Sequence, residues 1–591
     1  MRVYPQSMAL CLSIFLIPAS VTYAQVEFLK QNWTPAVRQT FYTTSQGSRM
    51  MPYEWFLALE VSDSEDSFVR VRLPELGYLA NNDTTNNPDK LPVGFVLDKN
   101  LQTEKNFIGL NCAACHTNQI TYDGTTFQID GAPTLADMWG MLNGIDDALK
   151  ATRDNPDKFN RFAEQVLGAS AANPTEIRKL ERELKDFLDY WSQFIEDSRV
   201  EHLWGRGRLD AFGMIFNRVT SIDLGIPENS VKPDAPVSIP FLWGTSFQDR
   251  VQWNGTAENG NDVERLGRNL GEVLGVFAHA QFRASAIFEI PRPARTSAQR
   301  LHQVRLENHL KTLWSPQWPE HLGEIDTEKK TAGETLYQDN CAQCHEIVPH
   351  GLQNTPVEVA MTLLSEVGTD PKMAMNAALG TASTGDLKLL FQGRASVPRG
   401  EMLQKLVRLA LISPFRDVAS GDLLERISTD DVFAPDEIKA FLRELGLGER
   451  EALALVEANQ EKLASYYEDL RKTIRAVKTG VNTPIAAADA PPTLKYKAAP
   501  LAGIWATAPY LHNGSVPNLY ELLLPASERS SSFYVGSRQF DPEKVGFETE
   551  LSEGSTLLDT SIPGNSNAGH DMYGAFTEVE RWHLVEYLKT L

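Results

Sequence analysis

Two copies of one six-residue pattern contain most of the thiols in this chain. "NCAACH" occupies residues 111–116 and "NCAQCH" occupies residues 340–345, in a chain of 591 residues with only five cysteines. Cys-x-x-Cys-His is the pattern of covalent haem attachment. Its thiols lie one turn apart and can both bond to one porphyrin edge, and the following His offers an imidazole nitrogen to the iron. We therefore predict two covalently bound haem c groups, one on Cys112, Cys115 and proximal ligand His116, the other on Cys341, Cys344 and proximal ligand His345.

Zinc and disulfide bonds are the alternative uses of these cysteines. Zinc would need a fourth ligand at similar spacing near each motif. A thioredoxin-like redox site needs Cys-x-x-Cys without an obligatory His, and disulfides are the default only for cysteines that carry no such pattern. Calcium has no clear motif in the sequence. The fifth cysteine, Cys11, lies in a segment that we expect to be removed.

The N-terminal residues have the layout of a secretory signal peptide. Arg2 precedes an apolar stretch from Met8 to about Pro18, and small residues lead to an expected cleavage after Ala24. No stretch is long and apolar enough to predict a membrane span. We expect a periplasmic or secreted protein.

The formal net charge of −21 bears on the class of partner. An acidic protein is a poor ligand for nucleic acid or an anionic membrane, and it is compatible with docking a basic redox protein. We expect a small cytochrome c or cupredoxin as electron donor.

Helical patterns surround both motifs. A helical pattern at 327–340 runs straight into the second motif, and the final residues place Val579, Trp582, Val585 and Leu588 at helical spacing. Further helical patterns occupy 175–204, 297–314 and 435–477. We predict a mainly α fold of two cytochrome c-like haem domains with long loop and helical insertions: residues 1–24 as signal peptide, 25–325 as the first domain and 326–591 as the second.

The second haem iron has two candidate distal ligands in one loop. "GNSNAGHDMYGAFTE" places His570 and Met572 two positions apart before the final helix. An imidazole gives a lower-potential haem than a thioether does. We favour His570, since the flanking Gly569 lets the backbone approach a flat ring, with Met572 as the alternative.

The segment "LAGIWATAPYLHNGSVPNLYELL" at 501–523 resembles bacterial di-haem cytochrome c peroxidases. "GNSNAGH" and "IGLNCAACHT" look more like the rubber-oxygenase branch of that superfamily. This resemblance implies that His570 ligates the second haem and that the first haem is the reaction centre. It also implies a role for His512 beside a haem propionate or between the domains, and for Trp505 between the haems. The alternatives are a helix-start hydrogen bond for His512 and a core position for Trp505.

No persuasive sixth ligand follows the first motif. Candidates are Met138, Met141, His202, Met214, His279, His302, His309 and His321. Met138 and Met141 more readily pack the core, and His302 and His309 are expected to be solvated. If none binds, the iron keeps an open face, and Phe241 and Trp243 are candidates for its apolar walls. A distal acid–base residue cannot be chosen from the sequence.

Three functions fit these patterns. The first is a di-haem peroxidase that takes electrons from a small redox protein and reduces peroxide. The second is a haem dioxygenase of the rubber-oxygenase type, which uses O₂ to cleave an apolar alkene. The third is a di-haem electron carrier without catalysis. A carboxylate or amide near the first iron favours the peroxidase, and a purely apolar pocket favours the oxygenase.

Overall fold

The computed structural model describes residues 26–100, 105–282, 295–351, 355–411, 494–571 and 576–591. The predicted signal peptide, Cys11, Met572 and the helical pattern at 435–477 lie outside these residues. Within them, no helix has the length and apolar character needed to cross a membrane.

Helices are distributed along the whole described chain. Those of six or more residues are α1 (Pro35–Thr43), α2 (Tyr53–Ala58), α3 (Met138–Asp154), α4 (Pro156–Leu167), α5 (Pro174–Asp197), α6 (Ala211–Phe216), α7 (Asp262–Gly275), α8 (Arg300–Leu310), α9 (Thr327–Asn340), α10 (Lys372–Ala378), α11 (Arg399–Leu411) and α12 (Glu578–Leu588). One-turn helices lie at Leu73–Glu75, Cys112–Cys115, Leu364–Val367 and Leu519–Leu522. Wider π-helical turns occur at Phe68–Arg72 and Asn217–Asp223. Tighter 3₁₀ turns occur at Gly168–Ala172, Pro227–Asn229, Thr245–Phe247, Glu320–Leu322, Gly385–Phe391, Ile504–Ala506 and Ala526–Glu528.

Short strands connect these helices. They are β1 (Val26–Phe28), β2 (Met51–Pro52), β3 (Phe95–Asn100), β4 (Lys105–Leu110), β5 (Thr117–Tyr122), β6 (Thr125–Asp130), β7 (Arg208–Leu209), β8 (Val237–Ser238), β9 (Arg250–Val251), β10 (Ala257–Glu258), β11 (Ala280–Gln281), β12 (Arg295–Thr296), β13 (Ala360–Leu363), β14 (Thr381–Ser383), β15 (Ser396–Pro398), β16 (Lys495–Ala498), β17 (Ser532–Val535), β18 (Phe540–Asp541), β19 (Gly546–Phe547) and β20 (Thr556–Asp559). Two sheets have three strands, in the orders β1-β6-β5 and β2-β4-β3, and the others are two-stranded.

The prediction of a mainly α fold is confirmed only in part, because strands flank the first motif. Strand β4 leads directly into Cys112 and pairs in antiparallel register with β3, so that Phe95 faces Leu110. Strand β5 starts immediately after His116 and pairs with β6. A cytochrome c-like helix does not precede this motif; the hairpins hold it instead.

The second motif has the helical setting that the sequence predicts. Helix α9 begins after Asp326, whose side chain accepts hydrogen bonds from the amides of Glu328 and Lys329, and runs into Cys341. The final helix α12 crosses it. A Cβ on Gly333 would lie 1.9 Å from the carbonyl oxygen of His583, so only glycine lets the two backbones approach this closely.

The face of α12 that packs differs from the predicted one. Val585 and Leu588 are buried as expected, but Trp582 is half-buried and Val579 is 61% exposed, whereas Leu584, outside the predicted set, is buried. Val579 lies in the first turn, beside the capping box that Thr577 and Glu580 form. The buried stripe therefore begins one turn later than the pattern predicts.

One hydrophobic cluster contains residues from both sides of the predicted domain boundary. Trp33 and Trp243 from the first part of the chain share it with Tyr337, Trp505 and Leu584 from the second part. A second cluster around Trp191 fills the space between α3, α4 and α5. The boundary at 325/326 remains a prediction, and the shared cluster shows that packing is continuous across it.

Candidate haem sites

The second motif is a single tight turn that follows α9. The amide of Cys341 donates to the carbonyl of Tyr337, and the amide of His345 donates to the carbonyl of Cys341 at 2.9 Å. The Nδ1–H of His345 donates to the backbone carbonyl of Ala499 at 2.7 Å. Because a carbonyl only accepts, this bond fixes the tautomer and leaves Nε2 with a lone pair. Burial lowers the pKa of His345, which keeps the ring neutral.

His570 faces His345 across a gap of the size that one metal ion would fill. The two ring centroids are 6.4 Å apart, and the ring planes are 23° apart. Two metal–nitrogen bonds of about 2.0–2.1 Å, each continued by the roughly 1.1 Å from a ring nitrogen to its centroid, span about 6.3 Å. Burial lowers the pKa of His570 to about 3. Its buried Nδ1 has no hydrogen-bond partner among the described residues. The pair therefore fits an iron with an imidazole on each side.

The loop that carries His570 docks on the chain near Val367. The amide of His570 donates to the carbonyl of Val367 at 3.0 Å, and His570 has a φ of 61°. Gly569 has a φ of 95°, and a Cβ there would lie 2.6 Å from the amide nitrogen of Thr369. Gly569 is thus required by a close approach to the backbone of Thr369, and the approach to a flat ring that the sequence suggests stays a prediction.

The first motif repeats the geometry of the second on a different scaffold. Asn111 caps the one-turn helix by accepting from the amide of Ala113, and its Nδ2 donates to the carbonyls of Phe41 and Thr44. The amide of His116 donates to the carbonyl of Cys112 at 3.0 Å. The residue types are those of the second motif, and a hairpin takes the place of the helix.

His116 is presented in the same way as His345. Its Nδ1–H donates to the backbone carbonyl of Pro240 at 2.8 Å, which leaves Nε2 with a lone pair. Burial lowers the pKa of His116 to about 4, so the ring is a neutral base at pH 7. Both motif histidines therefore meet the requirement for a proximal haem ligand.

The four motif cysteines form no disulfide. Burial raises the pKa of Cys112 and of Cys115 to about 12, and that of Cys341 to about 11. No group of three or more His, Cys, Asp or Glu side chains in the described chain could hold a metal ion. A haem needs only one or two protein ligands to iron, so the residues present fit that group.

Phe241 and Trp243 lie beside His116. Their rings stack with centroids 4.9 Å apart, and the preceding Pro240 is the acceptor of the His116 Nδ1–H bond. The segment is therefore at the Nδ1 edge of the imidazole. That these two rings wall the distal face stays a prediction.

Trp243 also connects the two motifs through the protein. Its Nε1–H donates to the carbonyl of Ala502 at 2.6 Å, three residues beyond the Ala499 carbonyl that holds His345. Trp505 is fully buried nearby, and its Nε1–H donates to the carbonyl of Pro316. Trp505 packs against Trp318 and Phe540 in the core.

His512 lies between the second motif and the first part of the chain. Its ring stacks on Tyr496 with centroids 4.3 Å apart, and its backbone carbonyl accepts from the amide of Ser238. Burial, with Arg208 and His570 nearby, lowers its pKa to about 3.

The other candidate ligands have structural contacts. Met141 and Met214 lie in the core, Met138 accepts from the Tyr78 hydroxyl, and His302 and His321 bond to backbone carbonyls. His302 and His309 are partly buried rather than solvated.

A polar group near the first motif has no obvious signature in the sequence. Glu272, on α7, accepts a hydrogen bond from the side-chain amide of Gln252. Burial raises the pKa of Glu272, and its charge in turn raises the pKa of both Cys112 and Cys115. Arg268, one turn earlier, pairs with Glu307. The i, i+4 spacing of Arg268 and Glu272 was the available signal, but such pairs are ordinary on surface helices.

Comparisons with known proteins agree with a haem protein. A RoxA-like, cytochrome c-like family model matches residues 495–534, which include Trp505 and His512 but neither cysteine motif. This match supports the rubber-oxygenase side of the resemblance and the binding of haem c; the number of haems stays a prediction. The "uncharacterized protein y4iM" of Sinorhizobium fredii is 36% identical over 115 residues, which cover 18% of this chain and 26% of that protein.

The similarity to a second protein of the same organism extends over nearly all of the sequence. The "uncharacterized protein y4iJ" of Sinorhizobium fredii is 31% identical over an alignment that covers 96% of this chain and 93% of that protein. The cysteine motifs at 111–116 and 340–345 lie in a chain that is matched almost end to end. This chain therefore belongs to the y4iJ family, and its segment 495–534 is RoxA-like and cytochrome c-like.

Proposed function

We propose that this chain is an exported di-haem c-type oxidoreductase in which the first motif serves a peroxide-reducing site and the second an electron-entry site. Haem iron at each motif would supply the redox chemistry. The protein supplies two different environments for it. A small cytochrome c or cupredoxin is the proposed electron donor.

The second site is closed by protein on both sides. His345 and His570 face each other at a centroid separation of 6.4 Å, which leaves room for a metal ion but not for a substrate as well. Two imidazole ligands suit electron transfer, because no ligand has to leave when the oxidation state changes.

The buried pair of Glu272 and Gln252 near the first motif is the observation that carries the proposal. Cleavage of a peroxide O–O bond requires a proton on the leaving oxygen, and a carboxyl group with a raised pKa can hold it. Burial raises the pKa of Glu272, Gln252 donates a hydrogen bond to it, and it lies close enough to raise the pKa of Cys112 and Cys115. We propose that α7 covers the face opposite His116 and that Glu272 delivers the proton.

Protein atoms provide a short route between the two sites. The carbonyl of Pro240 accepts from His116, Trp243 follows three residues later, and its indole N–H donates to Ala502. Ala499, in the same segment, accepts from His345. This arrangement supports Trp243, rather than Trp505, as the aromatic group between the sites.

Oxygen-dependent cleavage of an apolar alkene is the second candidate function. The RoxA-like match at residues 495–534 favours it. The polar Glu272–Gln252 pair favours the peroxidase, because an apolar substrate gains nothing from a buried carboxyl group. The two functions share the same haem attachment and differ in what enters the first site.

Reaction with each oxidant separates the two candidates. The purified protein is mixed with a reduced small cytochrome, and oxidation of the cytochrome is followed with and without hydrogen peroxide. We expect oxidation that depends on peroxide. Oxygen uptake in the presence of polyisoprene, without peroxide-dependent oxidation of the cytochrome, would establish the oxygenase instead.

Substitution of Glu272 tests the proton-donor role. Glu272→Gln keeps the shape and the contact with Gln252 but removes the transferable proton, and we expect a loss of about 10²–10⁴-fold in turnover with peroxide. Glu264→Gln, on the same helix, is the matched control and should behave as the unmodified protein. Equal peroxide turnover in both variants would exclude Glu272 as the proton donor.

A further inference from the structure

Arg208 is a buried cation without a carboxylate partner. The residue is 3% exposed, and burial lowers the pKa of its guanidinium to about 9. Its hydrogen bonds go to neutral oxygens: the carbonyls of Trp204 and Pro236, and the side-chain oxygen of Asn565 at 2.6 Å. Its Nε, also buried, has no partner in the described chain. A buried charge is costly unless an opposite charge compensates it.

Three other arginines with little solvent exposure have that compensation. Arg38 pairs with Asp130, Arg218 pairs with Asp223, and Arg268 pairs with Glu307. In each pair the carboxylate belongs to the chain itself. Arg206 and Arg529 are also buried without an ion pair to a described carboxylate, but their Nε atoms donate to backbone carbonyls, whereas the buried Nε of Arg208 has no partner among the described residues. The charge of Asp370 acts on Arg208 from beyond ion-pair distance.

The strand that carries Arg208 is joined to the loop that presents His570. Arg208 pairs with Ser238 in the β7–β8 ladder, and the amide of Ser238 donates to the carbonyl of His512. Asn513 donates from Nδ2 to the carbonyls of Gly564 and Ser566. With the Arg208–Asn565 bond, these contacts tie β7 and the 512–515 turn to the residues just before His570.

His512 adds a second polar group at the same place. Its ring is held against Tyr496, and the residue is buried. It is near enough to Arg208 and His570 for both to lower its pKa. A buried imidazole N–H beside a buried guanidinium is a site for an anion with two oxygens.

We propose that Arg208 and His512 bind one propionate of the haem at the second motif. A haem brings two carboxylates into the protein, and a buried carboxylate needs a cation and hydrogen-bond donors. Arg208 and His512 are tied to the loop of the distal ligand, and they come from the first and second parts of the chain. The proposal rests on a haem at the second motif and does not depend on which oxidant the first site uses.

The test compares Arg208→Gln, Arg208→Lys and His512→Gln in the full-length haem-loaded protein. Removing the positive charge leaves the propionate uncompensated and disfavours addition of an electron. In Arg208→Gln we expect the equilibrium constant for reduction of the low-spin haem to fall about tenfold. For one electron this is a decrease of about 59 mV in the midpoint potential. Arg208→Lys should keep most of the potential. The resonance Raman propionate bending band of that haem should shift in Arg208→Gln and in His512→Gln.

Arg206→Gln is the matched control. Arg206 lies two residues away and donates to the carbonyls of Gly554 and Glu75, away from the 564–570 loop. It should change neither the potential nor the propionate band. If Arg208→Gln does not fold, the band in Arg208→Lys and His512→Gln still decides. Unchanged bands in these variants, or a change confined to the other haem, would overturn the proposal. Absence of a second haem from the unmodified protein would instead overturn the proposed function.

Discussion

Two backbone carbonyls define the chemistry of the motif histidines. Pro240 and Ala499 each accept from an Nδ1–H, so that His116 and His345 present the same neutral tautomer from unlike scaffolds. The sequence identifies both histidines because their spacing to the cysteines is fixed. It cannot identify the acceptors, because every residue has a carbonyl and these two lie more than a hundred positions away. Glu272 was missed because charged pairs one turn apart are ordinary on helices, and Arg208 because its partner Asn565 is distant in sequence.

Haem attachment gives the first residue-scale prediction. Cys112→Ala or Cys341→Ala removes one of the two thioethers that hold a haem, and the covalent haem content should fall from two groups per chain. Haem staining on a denaturing gel and the mass of the intact chain measure it. Two covalent haems in both variants would contradict the assignment of the motifs.

The distal ligand of the second haem gives the second residue-scale prediction. His570→Ala removes an imidazole 6.4 Å from that of His345, and the low-spin haem should become partly high-spin. Met572→Leu is the control and should leave the visible and near-infrared spectra almost unchanged. The reverse result would assign the ligand to Met572 and imply a higher potential for that haem.

At the scale of elements, the sequence predicts the helices that pack locally and misses the short strands. Helices α5, α8, α9 and α12 appear where hydrophobic periodicity places them. Two-residue strands such as β7 and β8 have no periodicity to detect, and only their partners distant in sequence define them. The strands around the first motif are six residues long, but buried and exposed residues do not alternate along β4, β5 and β6, so the period of two that indicates a strand is absent.

The crossing of α9 and α12 gives a prediction at this scale. A Cβ at position 333 would lie 1.9 Å from the carbonyl oxygen of His583 and 2.9 Å from Cβ of Tyr587, so the helices must separate. Gly333→Ala should lower the free energy of unfolding by about 1–3 kcal/mol despite the higher helix propensity of alanine. Denaturant unfolding followed by circular dichroism measures this change.

Gly400→Ala is the control for this crossing. Gly400 lies in α11, and a Cβ there meets no atom within 4 Å. It should leave stability unchanged or slightly raised. A Gly333→Ala protein as stable as the Gly400→Ala protein would show that the two helices do not cross so closely.

At the scale of the whole molecule, the two motifs belong to one connected interior. The cluster that holds Trp243 also holds Trp505, and Arg208 bonds to the loop of His570. The sequence predicts two haem domains that follow one another along the chain. It does not predict that their interiors are connected, because none of the connecting contacts is local. The first site therefore depends on segment 499–505, and the second on β7.

The different roles proposed for the two haem sites give the last prediction. His345 and His570 close the proposed second site, whereas no ring contact joins His116 to another ring of the described residues. A strong intramolecular ligand must leave before an external one can enter. Cyanide and carbon monoxide, in the matching oxidation states, should therefore bind about one haem per chain. His116→Gly should abolish that binding and turnover while the low-spin spectrum of the other haem persists.

Titrations on fully oxidised, half-reduced and fully reduced protein, followed by absorbance, cover the case in which reduction of one haem opens the other. Two ligands bound per chain, or none in all three states, would contradict the assignment of an open first site and a closed second one.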